Sequence, residues 1–398
     1  MASQLKLAII GDPHLAIPQG ADDPYIDCDP GLKLHPQSKL LFEAAIAAIN
    51  AEPGVDAVLL LGDMTRDSEL FNHKAAAELL TQLKVPHYVM LGNHDCLRER
   101  RAGVTYPNSP RLDREGYVEF WHGRGLPQLS SSYKVELPGE VDLVVLDTNF
   151  TLRELVEHGL EASQQDHGFI TPERLDWLDA QLAETRQRGR LPLVAAHHSV
   201  MDQSPAERHG HPLLSIFGFW QVHKSGLLRL VLGKYAVPVV LSGHLHIQSV
   251  NEMRDGGAAL TNIVTSALVS YPHGWAVLTV EDFAIRYESR SLAQYLPAGF
   301  IEDSRRRASE GIGALIRREL TNHPMLGKYA DIVGEMVERS GWWTRLCDGT
   351  LAGFSVDPGL LPKSPLPRLV CAQAAQVLGE YGTWKTERAD PNKLEIWL

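Results

Sequence analysis

An α/β fold is the class this sequence predicts, and two observations predict it. From the N-terminus to about residue 290, short apolar runs alternate with segments of helical spacing, the rhythm of strands and helices packed in layers. The apolar runs lack the polar alternation of half-exposed strands, so they read as strands buried on both faces, and polar residues gather where they stop.

Residues 5–10 are apolar except for Lys6 and end at Gly11-Asp12. Pro36 followed by Leu40, Leu41, Ala44, Ala45, Ala48 and Ile49 has helical spacing, and Pro53-Gly54 breaks it. Residues 55–61 and 85–91 repeat the strand form, ending at Gly62-Asp63 and at Gly92-Asn93-His94-Asp95. Residues 141–146 run to Asp147, expected to cap a strand or to support its neighbours. Thr171-Pro172-Glu173 opens a helix with a hydroxyl cap, a proline at the first helical position and an acid at the positive dipole end. Leu175, Leu178 and Leu182 form its buried face until Gly189. Residues 191–196 end at His197-His198, and 237–241 lead to Gly243-His244-Leu245-His246. Residues 258–270, 275–280 and 283–289 read as strands closing a second sheet.

Beyond about residue 290 the pattern changes. Residues 308–320, 332–340 and 369–381 read as helices, interrupted by a Pro/Gly-rich stretch over 353–367. The expected organisation is therefore a domain over 1–290 and a mainly helical extension over 291–398. Trp342, Trp343 and Trp384 in the extension are candidates for core or interface rather than chemistry.

The chain has 398 residues, 44% hydrophobic and 22% charged, a balance that excludes disordered and collagen-like classes. Its net charge of −11 argues against a phosphate-backbone partner, which favours basic proteins. Four cysteines, Cys28, Cys96, Cys347 and Cys371, lie far apart without a CxxC pair, as in a reducing compartment. The first apolar run is too short for a signal peptide, and no segment approaches a membrane span. A cytoplasmic location, no membrane association and a small-molecule substrate are the expectation. The extension offers a surface for a homo-oligomer.

Five strand ends deliver oxygen or imidazole donors: Asp12 and His14, Asp63, Asn93, His197, then His244 and His246. This donor mixture suits first-row metal ions. In open α/β sheets the carboxyl ends of strands form the ligand crevice, so the donors can converge. Alternation in Asp12/His14 and His244/His246 would put two side chains on one side of an extended segment. Glycines at 11, 62, 92 and 243 would let the backbone turn beside them.

Asp12-Pro13-His14, Gly62-Asp63, Gly92-Asn93-His94-Asp95, His197 and Gly243-His244-Leu245-His246 together resemble the calcineurin-like metallophosphoesterase family, in its order and over roughly residues 5–290. The resemblance implies a four-layer αββα sandwich of two mixed sheets with the site at the strand ends. It implies two divalent or trivalent metal ions, manganese, iron, zinc or cobalt. Asp12, His14 and His246 would hold the first, Asn93, His197 and His244 the second, and Asp63 would bridge. His94 would serve the leaving oxygen, with Asp95 orienting it. The implied reaction is in-line attack on phosphorus by a metal-bridging hydroxide.

Within the family, Arg66 stands where purple acid phosphatases place a tyrosine ligand, and the motifs differ from those of the serine/threonine protein phosphatases. The resemblance is closest to class III cyclic nucleotide phosphodiesterases and related glycerophosphodiesterases, so a small phosphodiester is the expected substrate. A phosphomonoesterase, a nuclease of the same fold, or a non-catalytic scaffold is the alternative; a scaffold would be marked by lost ligands, and none is lost.

Other residues stay with bland readings. His35, His73, His87, His122, His158 and His323 are read as surface or core, and His198 as the less favoured of the two adjacent histidines. His209, His211 and His223 belong to a pocket wall or a surface loop. Residues 96–125 carry Arg98, Arg100, Arg101, Arg111, Arg114 and Arg124 with Tyr106, Tyr117, Phe120 and Trp121. They could contact a nucleotide's charge and base, or form a solvated face over a small local core.

Overall fold

The computed structural model describes residues 4–26, 32–96, 105–157, 159, 166–202, 222, 225–255, 258–282, 284–324, 326–351, 354–386 and 390–398. In chain order these form β1 (Leu5–Ile10), α1 (Ser38–Ala51), β2 (Ala57–Leu60), α2 (Leu70–Leu80), β3 (His87–Val89), α3 (Arg114–Trp121), β4 (Tyr133–Leu137) and β5 (Val141–Leu146). Then come α4 (Leu152–Glu157), α5 (Pro172–Gln187), β6 (Leu191–Ala196), α6 (Gly226–Lys234), β7 (Val239–Ser242), β8 (Ser249–Asp255), β9 (Ala258–Val264), β10 (Gly274–Glu281) and β11 (Ala284–Ser291). The remainder is α7 (Phe300–Thr321), α8 (Ala330–Ser340), α9 (Trp342–Cys347), α10 (Pro365–Thr386) and β12 (Lys393–Trp397).

The strands make two mixed six-stranded sheets, ordered β12-β11-β10-β1-β2-β3 and β4-β5-β6-β7-β9-β8. The sheets face each other through alternate residues. Val141, Leu143 and Val145 of β5 share a core with Leu7 and Ile9 of β1 and with Leu41 and Phe42 of α1. Val144 and Leu146 point the other way, onto Leu178 and Leu182 of α5 and Leu228 and Leu232 of α6. The result is helix, sheet, sheet, helix, as the family resemblance implies. The Thr171 hydroxyl accepts the N–H of Arg174, so α5 starts where its cap signal lies.

The last three expected strands do not all close the second sheet. β9 does, parallel to β7, but β10 pairs antiparallel with β1 and carries β11 into the first sheet. The chain crosses between the sheets over residues 265–273 because β1 leaves an open edge that the apolar β10 covers. β4, β8 and β12 carry too many polar residues for hydrophobic patterning to mark them as strands.

After residue 290, Ile312 and Ile316 of α7, Val333 and Val337 of α8 and Trp342 and Leu346 of α9 build a separate core. Leu245, Ile247 and Tyr271 join it, so the helices back the loop that carries His244 and His246. Trp342 and Trp343 are buried there; the Trp384 side chain lies outside the described residues. A line at 290 separates neither the cores nor the sheets cleanly. β12 lies beyond that line, yet pairs with β11 and buries Leu394 in the first core.

Candidate metal centre

Each predicted donor leaves the carboxyl end of a strand: Asp12 and His14 follow β1, Asp63 β2, Asn93 β3, His197 β6, and His244 and His246 β7. Five of them have left-handed backbones, with φ of 40° at Asp12, 41° at His14, 50° at Asp63, 68° at His244 and 58° at His246. Such residues cost of order 1–3 kcal/mol each and gather at functional sites. Convergence therefore comes from left-handed turns after the strands, and the expected pleat of an extended segment is absent. The glycine expectation needs a similar correction. Gly62 has φ of 92°, but Gly11, Gly92 and Gly243 have no positive φ. They supply room: a Cβ on Gly92 would stand 2.2 Å from both N and Oδ1 of Asp63.

The donors meet in two groups. Asp12, His14, Asp63 and His246 offer atoms within 4.8 Å of one another. His14 Nε2 lies 3.0 Å from His246 Nε2 and 3.4 Å from Asp63 Oδ2. In the other group, Asn93 Oδ1 is 3.0 Å from His197 Nε2 and 3.0 Å from His244 Nδ1. Asp63 Oδ2 belongs to both, being also 3.4 Å from His197 Nε2. Donors bound to one ion at about 2.0–2.2 Å lie about 3–3.5 Å apart, so these spacings fit a cation. Asp12 Oδ2 is buried without a hydrogen-bond partner, which a cation would supply.

Burial and mutual charge govern the protonation of the donors. Burial pushes Asp12 up to about 7, with Asp63 adding to the rise and His197 opposing it. Burial would raise Asp63 too, but His197 holds it down to about 2. Burial lowers His197, yet Asp63 and Asp12 bring it up to about 9. Burial drives His14, His244 and His246 well below the usual imidazole range, leaving lone pairs for a cation. The Lys33 charge acts on Asp12, His14, Asp63, His244 and His246. Lys33 stands on no strand end, so no sequence signal marked it.

His94 lies at the rim, its ring 4.6 Å from that of His14. Its Nδ1 donates to the Arg66 carbonyl at 2.6 Å, and its backbone N–H donates to Asp63 Oδ1 at 2.7 Å. Asp95 does not orient it, contrary to expectation. The Asp95 carboxylate turns inward and accepts the N–H groups of Met64, Thr65 and Gly92 and the Thr65 hydroxyl. It fastens the turn after Asp63 to the turn after β3, because those buried N–H groups need an acceptor.

His197 and His198 have different partners. His197 Nδ1 donates to the Leu61 carbonyl at 2.7 Å, which turns Nε2 toward Asp63 and Asn93. His198 Nδ1 bonds Thr148 Oγ1 at 2.9 Å, although its ring also lies in the His197–His244 group. Asp147 is structural, paired with Arg114 at 2.9 Å. His35 and His73 are buried. In the segment 96–125, Tyr117 and Trp121 are fully buried and Arg111 pairs with Asp67, so these are core and not base contacts. Arg98, Arg100, Arg101, His158, His209, His211, His223 and Cys28 lie outside the described residues.

The calcineurin-like phosphoesterase family model matches residues 5–248, more than half of the chain. The chain belongs to that family. It is 29% identical over 170 residues to a protein of Rhodopseudomonas palustris named "Probable cyclic nucleotide phosphodiesterase", covering 42% of this chain and 51% of that one. It is 28% identical over 211 residues to an Arcobacter nitrofigilis protein named "Probable glycerophosphodiester phosphodiesterase", covering 52% and 63%. The matches thus span half to under two thirds of those relatives. A dimetal phosphatase from Danio rerio shares the fold, with a TM-score of 0.50 at 14% identity over 72% of this chain and 96% of that one. Among the described residues no helix is long and apolar enough to cross a membrane.

Proposed function

We propose that this phosphoesterase is a two-metal hydrolase of small phosphodiesters, of the cyclic nucleotide or glycerophosphodiester kind. One observation carries the reading: Asp63 Oδ2 stands 3.4 Å from donors of both groups, His14 Nε2 and His197 Nε2. Asp12, His14, Asp63 and His246 would hold one ion, and Asp63, Asn93, His197 and His244 the other. When bound, such a pair clamps phosphoryl oxygens and brings the pKa of a water toward neutral. The oxygen and imidazole donors suit manganese, iron, zinc or cobalt.

The chain's own residues do the rest. The His94 N–H fixes Asp63 Oδ1, which keeps Oδ2 between the two groups. Because a carbonyl only accepts, the bond to Arg66 places a proton on His94 Nδ1. Nε2 is then the atom to hold or release a proton at the leaving oxygen. The Lys33 charge adds a positive field suited to an anionic substrate. The names of the curated relatives support a diester.

The test is a substrate panel with added manganese: bis-p-nitrophenyl phosphate against p-nitrophenyl phosphate, then cyclic nucleotides and glycerophosphodiesters. A higher kcat/KM on diesters is expected. Preference for the monoester would overturn the diester reading, and an inert, metal-loaded protein would overturn the hydrolase.

A further inference from the structure

We propose that Asp166 is a positioning residue for the second ion, holding Asn93 so that its carbonyl oxygen and not its amino group faces His197 and His244. An asparagine amide has two ends, and only the oxygen can bind a cation. A carboxylate accepts hydrogen bonds and cannot donate. The Asn93 atom 2.9 Å from Asp166 Oδ1 is accordingly the amino nitrogen. That choice sets Oδ1 at 3.0 Å from both imidazole nitrogens of its group. Without Asp166 the amide can turn over, and its N–H groups can then donate to the same imidazoles that a cation needs. The negative charge also draws electron density toward the amide oxygen, strengthening a neutral and intrinsically weak ligand.

Asp166 itself sits on a fastened segment. A Cβ on Gly168 would lie 2.5 Å from His198 Cβ, so this backbone runs directly against the end of β6. Phe169 donates its N–H to the Thr148 carbonyl at 2.8 Å, at the end of β5. Its ring stacks on Phe150 with centroids 4.4 Å apart. Gly168 also bridges to Val222. The segment is bonded to the end of β5 and packed against the end of β6, which carries His197.

The inference rests on the two-metal reading, and its test separates the two. Metal-free protein is titrated with Mn²⁺ alone by calorimetry, with electron paramagnetic resonance reporting the spin-coupled ion pair. The wild type is expected to take two ions. Asp166→Ala is expected to bind one ion with a constant within about twofold of wild type and the other about 10–100-fold more weakly, losing the coupled signal at two equivalents. Asp166→Asn, which keeps the shape and one carbonyl acceptor, is expected to fall between. Asn93→Asp sets two carboxylates against each other; adding Asp166→Asn reverses the hydrogen bond and should strengthen binding relative to Asn93→Asp alone. Two unchanged constants in Asp166→Ala, or equal losses for both ions, would overturn the positioning role. A wild type that takes up one ion overturns the two-metal reading and this inference with it.

Discussion

The backbone N–H of His94 donates to Asp63 Oδ1 at 2.7 Å. The residue after one donor thereby orients the carboxylate of another, and a turn at the end of β3 controls a side chain from the end of β2. With Oδ1 engaged, Oδ2 is the oxygen presented to His14 and His197. The site is held by such cross-links between turns. His244 N–H bonds Asp12 Oδ1 at 2.8 Å, joining the end of β7 in the second sheet to the end of β1 in the first.

Asp63→Ala removes the atom shared by both groups and, on the proposed two-metal reading, would leave two cations without a screening charge between them. Metal content and hydrolysis should fall together, activity reaching the level of metal-free protein. Elemental analysis alongside a rate measurement checks this. Two ions retained in Asp63→Ala would contradict the bridging assignment.

His94→Ala separates proton transfer from metal binding. A proton donor at the leaving oxygen contributes about 10²–10⁴-fold, and an alkoxide needs it far more than nitrophenolate does. The variant should keep its metals, lose most of its rate on alkyl or cyclic diesters, and lose less on nitrophenyl esters. Equal losses on both would give His94 a phosphate-positioning role instead.

Gly92→Ala tests the close approach behind the bridge. The added methyl meets Asp63 N and Oδ1 at 2.2 Å, and overpacking of this kind typically costs about 1–3 kcal/mol. Urea unfolding should show that loss together with weaker metal binding. Gly226→Ala, whose Cβ meets nothing within 4 Å, should be neutral or mildly stabilising. A Gly92→Ala protein with unchanged stability would mean that the two turns are not packed as described.

Stability should fall with acid through two buried histidines outside the metal groups. Burial holds His73 down to about 3 and His273 down to about 4. Burial keeps His273 neutral against the opposing bond from its Nδ1 to the Leu268 carbonyl at 2.9 Å, and its Nε2 lies 2.5 Å from Ser304 Oγ. Below about 6.5 the unfolded chain binds protons that the folded one refuses, so stability rises with pH through this window. Each histidine contributes about 1.4 kcal/mol per pH unit. The contribution is complete above about 6.5 and is lost as pH falls toward about 4 for His273 and about 3 for His73. His273→Gln should flatten the slope of unfolding free energy between pH 5 and 6.5. An unaltered slope would show that His273 titrates normally when folded.

What could be read before folding were the features that local chemistry decides. Buried strands announce themselves because an apolar run has few other stable fates, and Thr171-Pro172-Glu173 marks its helix start through capping. The donors Asp12, Asp63, Asn93, His197 and His244 were legible because each follows such a run and belongs to a motif of recognisable order. Tertiary structure alone decided the rest, since it depends on contacts between residues distant in the chain. β10 and β11 joined the first sheet because β1 had an open edge, which their own residues do not reveal. Polar β8 and β12 became strands because neighbours offered backbone partners. Asp95 turned inward to satisfy N–H groups from another turn, although the sequence places it beside His94. Lys33 and Asp166 came to the site on loops without periodicity. The left-handed backbones of the candidate donors are likewise a product of the whole fold, because only many surrounding contacts can hold five residues in a conformation that each alone disfavours.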